Sequence, residues 1–483
     1  MKVEPVTDSD CEVIIHLYLK YGIEQTLIML DGYYSFVLYD NRINNNLTNN
    51  IYVARDPLGI RPLYKVYNIN PSIDYSLYGF ASELKCLEYF YNENTSLYRL
   101  EQFEPGTYSV FHYGSKVQSK WEPIINNKPY YIPTFSSTPF ILDNDVYKKD
   151  LFIKISTELT LAVFKRCSTT ERPVACLLSG GLDSSLIASL VAHYFNTKGK
   201  QIETYSIGLA DSEDIKYARI VADYIKSNHT EIIVTEKDMF NAIPEVIKAL
   251  ESYDTTTVRA SIGNYLIGKY ISANSDAKVI FNGDGSDELF GGYLYMNKCP
   301  DDIEFDKETR RLLKDIYLFD VLRSDKSISS NGLEPRTPFL DKNFVNTILS
   351  INPYFRNHNN FGEPEKYLLR NSFTEFYARD FEGRPVLPDE VLWRRKEAFS
   401  DGVSSRGRSL FTILQEFISA YYDEKEPTLK PHKPSIDLEK RYYKEIFDKE
   451  FPNCSHILPY FWMPKYTNAS DPSARTLDVY KSS

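Results

Sequence analysis

The chain is 483 residues long, 42% hydrophobic and 25% charged, with a formal net charge of −10. Such a length predicts about two to four domains in a soluble globular protein, and the acidic balance argues against nucleic acid as the main partner, because phosphate backbones demand a basic surface. No run reaches the roughly 18 apolar residues of a membrane span, so no membrane partner is expected.

Read in order, residues 1–120 predict a β-rich region. Cys11–Tyr21 reads as a short amphipathic helix, with Val13, Leu17 and Leu19 among its apolar positions. A strand over Gly32–Asp40, an Asn-rich loop over Asn41–Asn50 and a partner strand over Ile51–Ala54 follow. Arg55-Asp-Pro-Leu-Gly-Ile-Arg-Pro-Leu-Tyr64 then leads to a strand running into Phe80-Ala-Ser-Glu-Leu-Lys85, and Glu104-Pro-Gly-Thr-Tyr108 makes a turn.

Two stretches here, RDPLGIRPLY with ASELK and Ser9-Asp-Cys-Glu12 ahead of the first helix, resemble the class II glutamine amidotransferase domain. The resemblance implies that Asp10 holds the α-amino group of glutamine, where the residues alone equally allow a helix N-cap. Enzymes of that family use a cysteine at mature position 1, whose own α-amine is the base. This chain begins Met1-Lys2-Val3, and its first cysteine, Cys11, has no free α-amine and is not expected to be a nucleophile. By resemblance, the family's first strands, its substrate-clamping arginine and its oxyanion-forming Asn-Gly would precede Met1. The six cysteines, Cys11, Cys86, Cys167, Cys176, Cys299 and Cys454, include no CxxC pair, so neither a metal-ligand set nor a disulfide framework is expected. With no signal-peptide core at the N-terminus, a cytoplasmic location is expected.

Residues 121–143, rich in proline and aperiodic, predict a linker before a helix beginning at Asp145. Val174–Leu178 reads as a buried parallel strand, running into Ser179-Gly-Gly-Leu-Asp-Ser-Ser185 and a helix with Leu186, Ile187 and Leu190 at helical spacing. Strand, small-residue loop and helix together build an anion site, glycines admitting phosphate to backbone N–H groups and the helix start adding positive partial charge. No lysine completes a Walker pattern. Asp183 could instead hold Mg²⁺ bridged to phosphate. SGGLDSS resembles the pyrophosphate loop of the ATP pyrophosphatases.

Glu203–Leu209 and Glu231–Val234 predict two more strands alternating with helices, hence an α/β fold with a parallel sheet whose ligand lies beyond the strands' carboxyl ends. Ile207 would then flank a nucleotide or serve only as core. In Asp254-Thr-Thr-Thr-Val-Arg-Ala-Ser261, Thr255, Thr256 and Arg259 suit a carboxylate substrate, arginine supplying a bidentate clamp. A strand ending at Phe281 runs into Asn282-Gly-Asp-Gly-Ser-Asp-Glu-Leu-Phe-Gly-Gly-Tyr293, a second loop facing the first. An EF-hand is excluded because a strand precedes it. Asp287 with Asp183 can hold Mg²⁺, leaving Asp284 for proton handling. Arg323 and Lys326 could face phosphate or form a solvated helix end, and Arg336 could clamp a carboxylate or pair with Asp341.

SGGLDSS, SYDTTTVRAS, GDGSDELFGGY, EPRTPFLD and WRRKEAFSDGVS, in this order, resemble the asparagine synthetases of the glutamine-hydrolysing type. That family usually reads SGEGSDE, so Asp284 keeps the charge one methylene shorter. The resemblance implies an N-terminal β-rich, partial Ntn-hydrolase-like amidotransferase domain over 1–120 and an ATP-pyrophosphatase domain over 144–450; a C-terminal tail over 451–483 follows, of which residues 463–483 are expected to be poorly ordered. It implies small-molecule substrates (aspartate, ATP, and glutamine or ammonia), ATP and Mg²⁺ as cofactors, and β-aspartyl-AMP as intermediate. Leu177, Ile207, Asn282 and Gly283 would surround adenine, and Ser179, Gly180, Gly181, Ser184 and Ser185 would cradle pyrophosphate. Lys396 would stabilise charge on the α-phosphate, and Asp284 would take the proton. As written the chain is expected to use ammonia, and a homodimer stays open. The alternatives are a β-lactam synthetase-like enzyme and a non-catalytic nucleotide-binding relative.

Overall fold

The computed structural model describes residues 4–42, 49–69, 77–113, 120–132, 145–397, 402–404, 408–427 and 431–477. The chain divides into two units, Met1–Thr134 and Phe135–Ser483.

In the first unit, β1 (Ser35–Asp40), β2 (Asn50–Arg55), β6 (Thr107–Tyr113) and β7 (Trp121–Pro129) form one antiparallel sheet in the order β1-β2-β6-β7. A second antiparallel sheet has the order β4-β3-β5, from Tyr78–Ala81, Tyr64–Asn68 and Tyr98–Gln102. The RDPLGIR loop between β2 and β3 is held by its own side chains. Asp56 accepts backbone N–H bonds from Leu58, Ile60 and Arg61, while the fully buried Arg55 donates to the carbonyls of Gly59, Arg61 and Phe103. Those bonds satisfy polar backbone that burial would otherwise strand.

Two expectations change here. Trp121–Pro129 is a paired strand rather than linker; it is the sheet's edge, where Pro123 and Pro129 are tolerated. Residues 133–143 of that linker lie outside the described residues. The first helix spans Glu12–Met29 with a break at Gly22, and it is not amphipathic as expected. Leu17 is buried, but Val13, Ile15 and Leu19 are each about half exposed.

In the second unit, β8 (Val174–Leu177), β9 (Glu203–Gly208), β10 (Asn228–Ile233), β11 (Val279–Phe281) and β12 (Glu334–Arg336) form an all-parallel sheet in the order β10-β9-β8-β11-β12. One face packs under the helices Thr255–Asn274 and Asp320–Ser329, with Ile207, Ile267, Ile271, Ile280 and Ile328 in the contact. The chain winds one way from β8 to β9 and β10 and the other way to β11 and β12. The crevice between the carboxyl ends of β8 and β11 is therefore a topological switch point, where an open parallel sheet binds its ligand.

The expected disordered tail is in large part built into this unit. Asp471, Ser473 and Leu477 are buried, and the helices Leu410–Lys425 and Ile436–Glu450 lead into them. Among the described residues no helix is long and apolar enough to cross a membrane.

Candidate active site

The switch point brings together two loops. Helix Leu182–Asn196 starts after Gly181 in extended conformation with no side-chain cap, so its first N–H groups face the crevice uncommitted to a cap. Gly180 adopts φ +69°, and a Cβ there would lie 2.4 Å from the Ala218 nitrogen; the turn requires glycine. Ser184 Oγ meets Ser179 Oγ at 2.9 Å. From β11 the second loop approaches so closely that a Cβ on Gly283 would lie 2.7 Å from the Ser184 nitrogen. Leu177, Ser179, Gly181, Asp183, Ser184, Ile207, Asn282 and Gly283 line the resulting cleft. Gly180 and the fully buried Ser185 do not; they shape the turn behind it.

Asp183 and Asp287, one from each loop, converge on a lysine the sequence did not single out. Lys366 Nζ lies 2.6 Å from Asp183 Oδ2 and 2.6 Å from Asp287 Oδ1. Lys396 Nζ lies 2.6 Å from Asp287 Oδ2 and 4.0 Å from Asp183. Burial alone would raise the Asp287 carboxyl, but the Lys366 and Lys396 ammoniums hold it below the ordinary carboxylate range. Burial would likewise lower Lys396, and the charges of Asp287 and Asp183 raise it instead. Gly292 leaves room for the junction, since a Cβ there would lie 2.3 Å from Asp287 Oδ1.

Asp284 lines the cleft and accepts from Arg323 Nη2 at 3.0 Å; Arg323 also reaches Asp320 at 2.7 Å. Tyr293 OH in turn meets Asp320 at 3.2 Å and donates to Glu288, whose carboxyl is raised by burial and by Asp320 and Asp287. Arg323 and Lys326 are therefore not a solvated helix end. Both lie within Asp320–Ser329, and Lys326 is buried against Glu251.

Thr256 lines the cleft, and the hydroxyl of neighbouring Thr255 is buried without a hydrogen-bond partner. Arg259, expected to clamp a carboxylate substrate, does not reach the cleft. It is 3% exposed and fully engaged, with Glu439 at 2.6–2.8 Å and Asp471 at 2.7–2.8 Å. The two acids lie 180 and 212 residues away, which no local pattern could reveal. Arg336 pairs with Glu334 rather than Asp341, which accepts from Arg166. Asp10 is exposed in the turn before helix Glu12–Met29, and Cys11 rather than Asp10 takes the N-cap position. The Cys11 nitrogen is an amide donating to Ser9 Oγ, as expected for a residue without a free amine.

The segment leading into Lys396 is fastened at two points. Arg370 Nη1 donates to the Leu392 carbonyl at 2.5 Å. Arg394 donates to Asp214 at 2.8 Å and to the Ser179 carbonyl at 3.3 Å, tying this segment to the first loop. Asp214 is fully buried, and burial pushes its carboxyl up to about 6 against the pull of Arg394.

The family model described as asparagine synthase matches residues 154–304 and 297–468, and that of a glutamine amidotransferase domain matches residues 2–121. The glutamine-hydrolysing asparagine synthetase of Gallus gallus is 40% identical over 486 residues, covering 98% of this chain and 82% of the relative. Its counterpart in Homo sapiens is 39% identical over 496 residues, covering 99% of this chain and 83% of the relative.

Two outcomes follow from these contacts. Arg259→Gln leaves Glu439 and Asp471 buried without their cation and lowers stability by about 3–5 kcal/mol in denaturant unfolding; an unchanged midpoint would contradict the assignment. Asp214 binds its proton more tightly folded than at its ordinary value of 3.8, so its contribution is present below that value and lost as pH rises through about 6. Stability of the wild type relative to Asp214→Asn falls by about 3 kcal/mol across that window, and a difference that does not change with pH would refute it.

Proposed function

This chain belongs to the family of glutamine-hydrolysing asparagine synthetases, and on that premise we propose how its parallel-sheet unit carries out the synthetase reaction. The reaction is a carbon–nitrogen ligation driven by ATP. The side-chain carboxylate of L-aspartate attacks the α-phosphorus of ATP, the bond to the β-phosphate oxygen breaks, and pyrophosphate leaves. Ammonia then attacks the acyl carbon of β-aspartyl-AMP, gives up a proton, and AMP departs to leave L-asparagine. The meeting of Asp183, Asp287, Lys366 and Lys396 across the switch point is the observation that supports this reading most directly.

Adenine lies against Leu177 and Ile207, beside Asn282 and Gly283, at the carboxyl ends of β8 and β9. The uncapped start of helix Leu182–Asn196, with Ser179, Gly181 and Ser184, takes the pyrophosphate oxygens. Asp183 Oδ1 is buried and takes no hydrogen bond, and with Asp287 it makes the two-carboxylate set suited to a phosphate-bound Mg²⁺. Asp183 and Asp287 would hold that ion, whose chemistry is to neutralise phosphate charge. Lys396, fixed by Arg394 and Asp287, stabilises charge that develops on the α-phosphate.

For aspartate, Thr256 presents its hydroxyl at the start of helix Thr255–Asn274, while Thr255 is buried beneath and does not line the cleft; Arg323, which does line it, takes the clamp expected of Arg259. Asp284 takes the proton from the incoming nitrogen while Arg323 orients it. In the N-terminal unit the exposed Asp10 is the contact for the glutamine α-amino group. The six free cysteines, four of them buried, suit a cytoplasmic location. A 40% identity spread over 98% of the chain favours neither a β-lactam synthetase-like enzyme nor a non-catalytic relative.

The test supplies Mg·ATP, L-aspartate and ammonium and follows pyrophosphate and asparagine. Both form with the wild type, Asp183→Ala loses both, and Asp284→Asn lowers asparagine formation by about 100-fold or more, the scale of a lost general base. Pyrophosphate release that ignores aspartate, or an Asp284→Asn enzyme of wild-type rate, would refute the reading.

A further inference from the structure

The segment after helix Ile436–Glu450 has almost no regular structure, yet Trp462 and Ala474 line the cleft. Both pack against Leu294 and Phe319, the residue before Asp320, which also lines the cleft. The backbone N–H of Trp462 donates to Asp254 Oδ1 at 2.8 Å, and Asp254 caps the helix that bears Thr255 and Thr256. The Trp462 ring packs on Tyr293 with centroids 5.3 Å apart, and Tyr293 is the hydrogen-bond partner of Asp320 and Glu288. Trp462 thus spans the two groups of side chains assigned to the amino-acid substrate. The segment is anchored from behind, since Asp471 is locked to Arg259 and Gln415.

We propose that Trp462 is a specificity-determining residue, the wall that closes the acid-binding end of the cleft and sets the length of amino acid admitted. The proposal rests on the aspartate-activating reading above. A wall of this kind acts on the acid and not on the nucleotide. An apolar surface of fixed depth discriminates one methylene by roughly 10–200-fold, which is the difference between aspartate and glutamate. The 7% exposure of Trp462 leaves the ring no slack to retreat. Ala474, on the same segment, is small where a larger side chain would shorten the space.

The test measures pyrophosphate release by the full chain with Mg·ATP and ammonium, varying L-aspartate, L-glutamate and ATP in turn. Trp462→Ala raises KM for aspartate at least tenfold, leaves KM for ATP within twofold and narrows the preference for aspartate over glutamate at least tenfold. Trp462→Phe, which keeps a ring against Tyr293, stays within threefold of wild type. Should Trp462→Ala fail to fold, Ala474→Val decides, raising KM for aspartate at least fivefold with KM for ATP unchanged. An aspartate KM within twofold of wild type in folded Trp462→Ala or, where that variant does not fold, in Ala474→Val, or a parallel rise in both KM values, overturns the proposal. A wild type that releases no pyrophosphate with aspartate overturns the functional reading itself, whereas normal wild-type turnover with indifferent variants overturns the wall alone.

Discussion

Two carboxylates from different loops cannot share a buried site unless positive charge holds them there. Lys366 supplies it, touching Asp183 and Asp287 at 2.6 Å each, and Lys396 completes the junction from a fourth segment. Around this contact the rest of the unit has an intelligible arrangement. The parallel sheet delivers the two loops to one crevice, Gly283 and Gly292 remove the side chains that would keep them apart, and Arg370 and Arg394 hold the strand-free segment bearing Lys396. On the proposed reading, a phosphate chain would meet a surface whose charges are already placed, leaving little reorganisation for the reaction itself.

Much of this was legible in the amino-acid sequence because it was local. The run Val174–Leu178, the glycines after it and the periodic helix beyond state a strand, an anion loop and a helix within about twenty positions. The second loop carries its acids and glycines in the same compact way, and alternation of strands with helices fixed the parallel sheet. Long-range pairings left no such trace. Lys366 stands in a left-handed conformation (φ 60°) at the start of the short helix Tyr367–Ser372, and nothing around it in the sequence marks a buried cation. Arg259 sits beside pocket threonines in the sequence, but its guanidinium turns to two acids contributed by the C-terminal helices and segment. The amidotransferase-like unit shows the same division: its strands were readable, while the proline-bearing β7 looked like linker because an edge strand tolerates what a central one does not.

The C-terminal segment carries the same lesson. Aperiodic sequence reads as disorder, yet order can be imposed from outside by a few strong contacts. Here the Arg259–Asp471 pair, the Asp254–Trp462 bond and the aromatic packing on Tyr293 fix a stretch with little secondary structure of its own. Its remoteness in sequence from the synthetase loops is no obstacle to its closing their cleft.

The central claim is that the two loops act as one site because Lys366 couples their carboxylates. Calorimetric binding of Mg·ATP to the wild type, Asp183→Asn, Lys366→Met and the double variant measures that coupling directly. The account predicts that each single variant weakens binding at least tenfold and that the double variant loses clearly less than the two effects combined, as for residues in one ion network. Additive losses, or a Lys366→Met protein that binds Mg·ATP like the wild type, would contradict it.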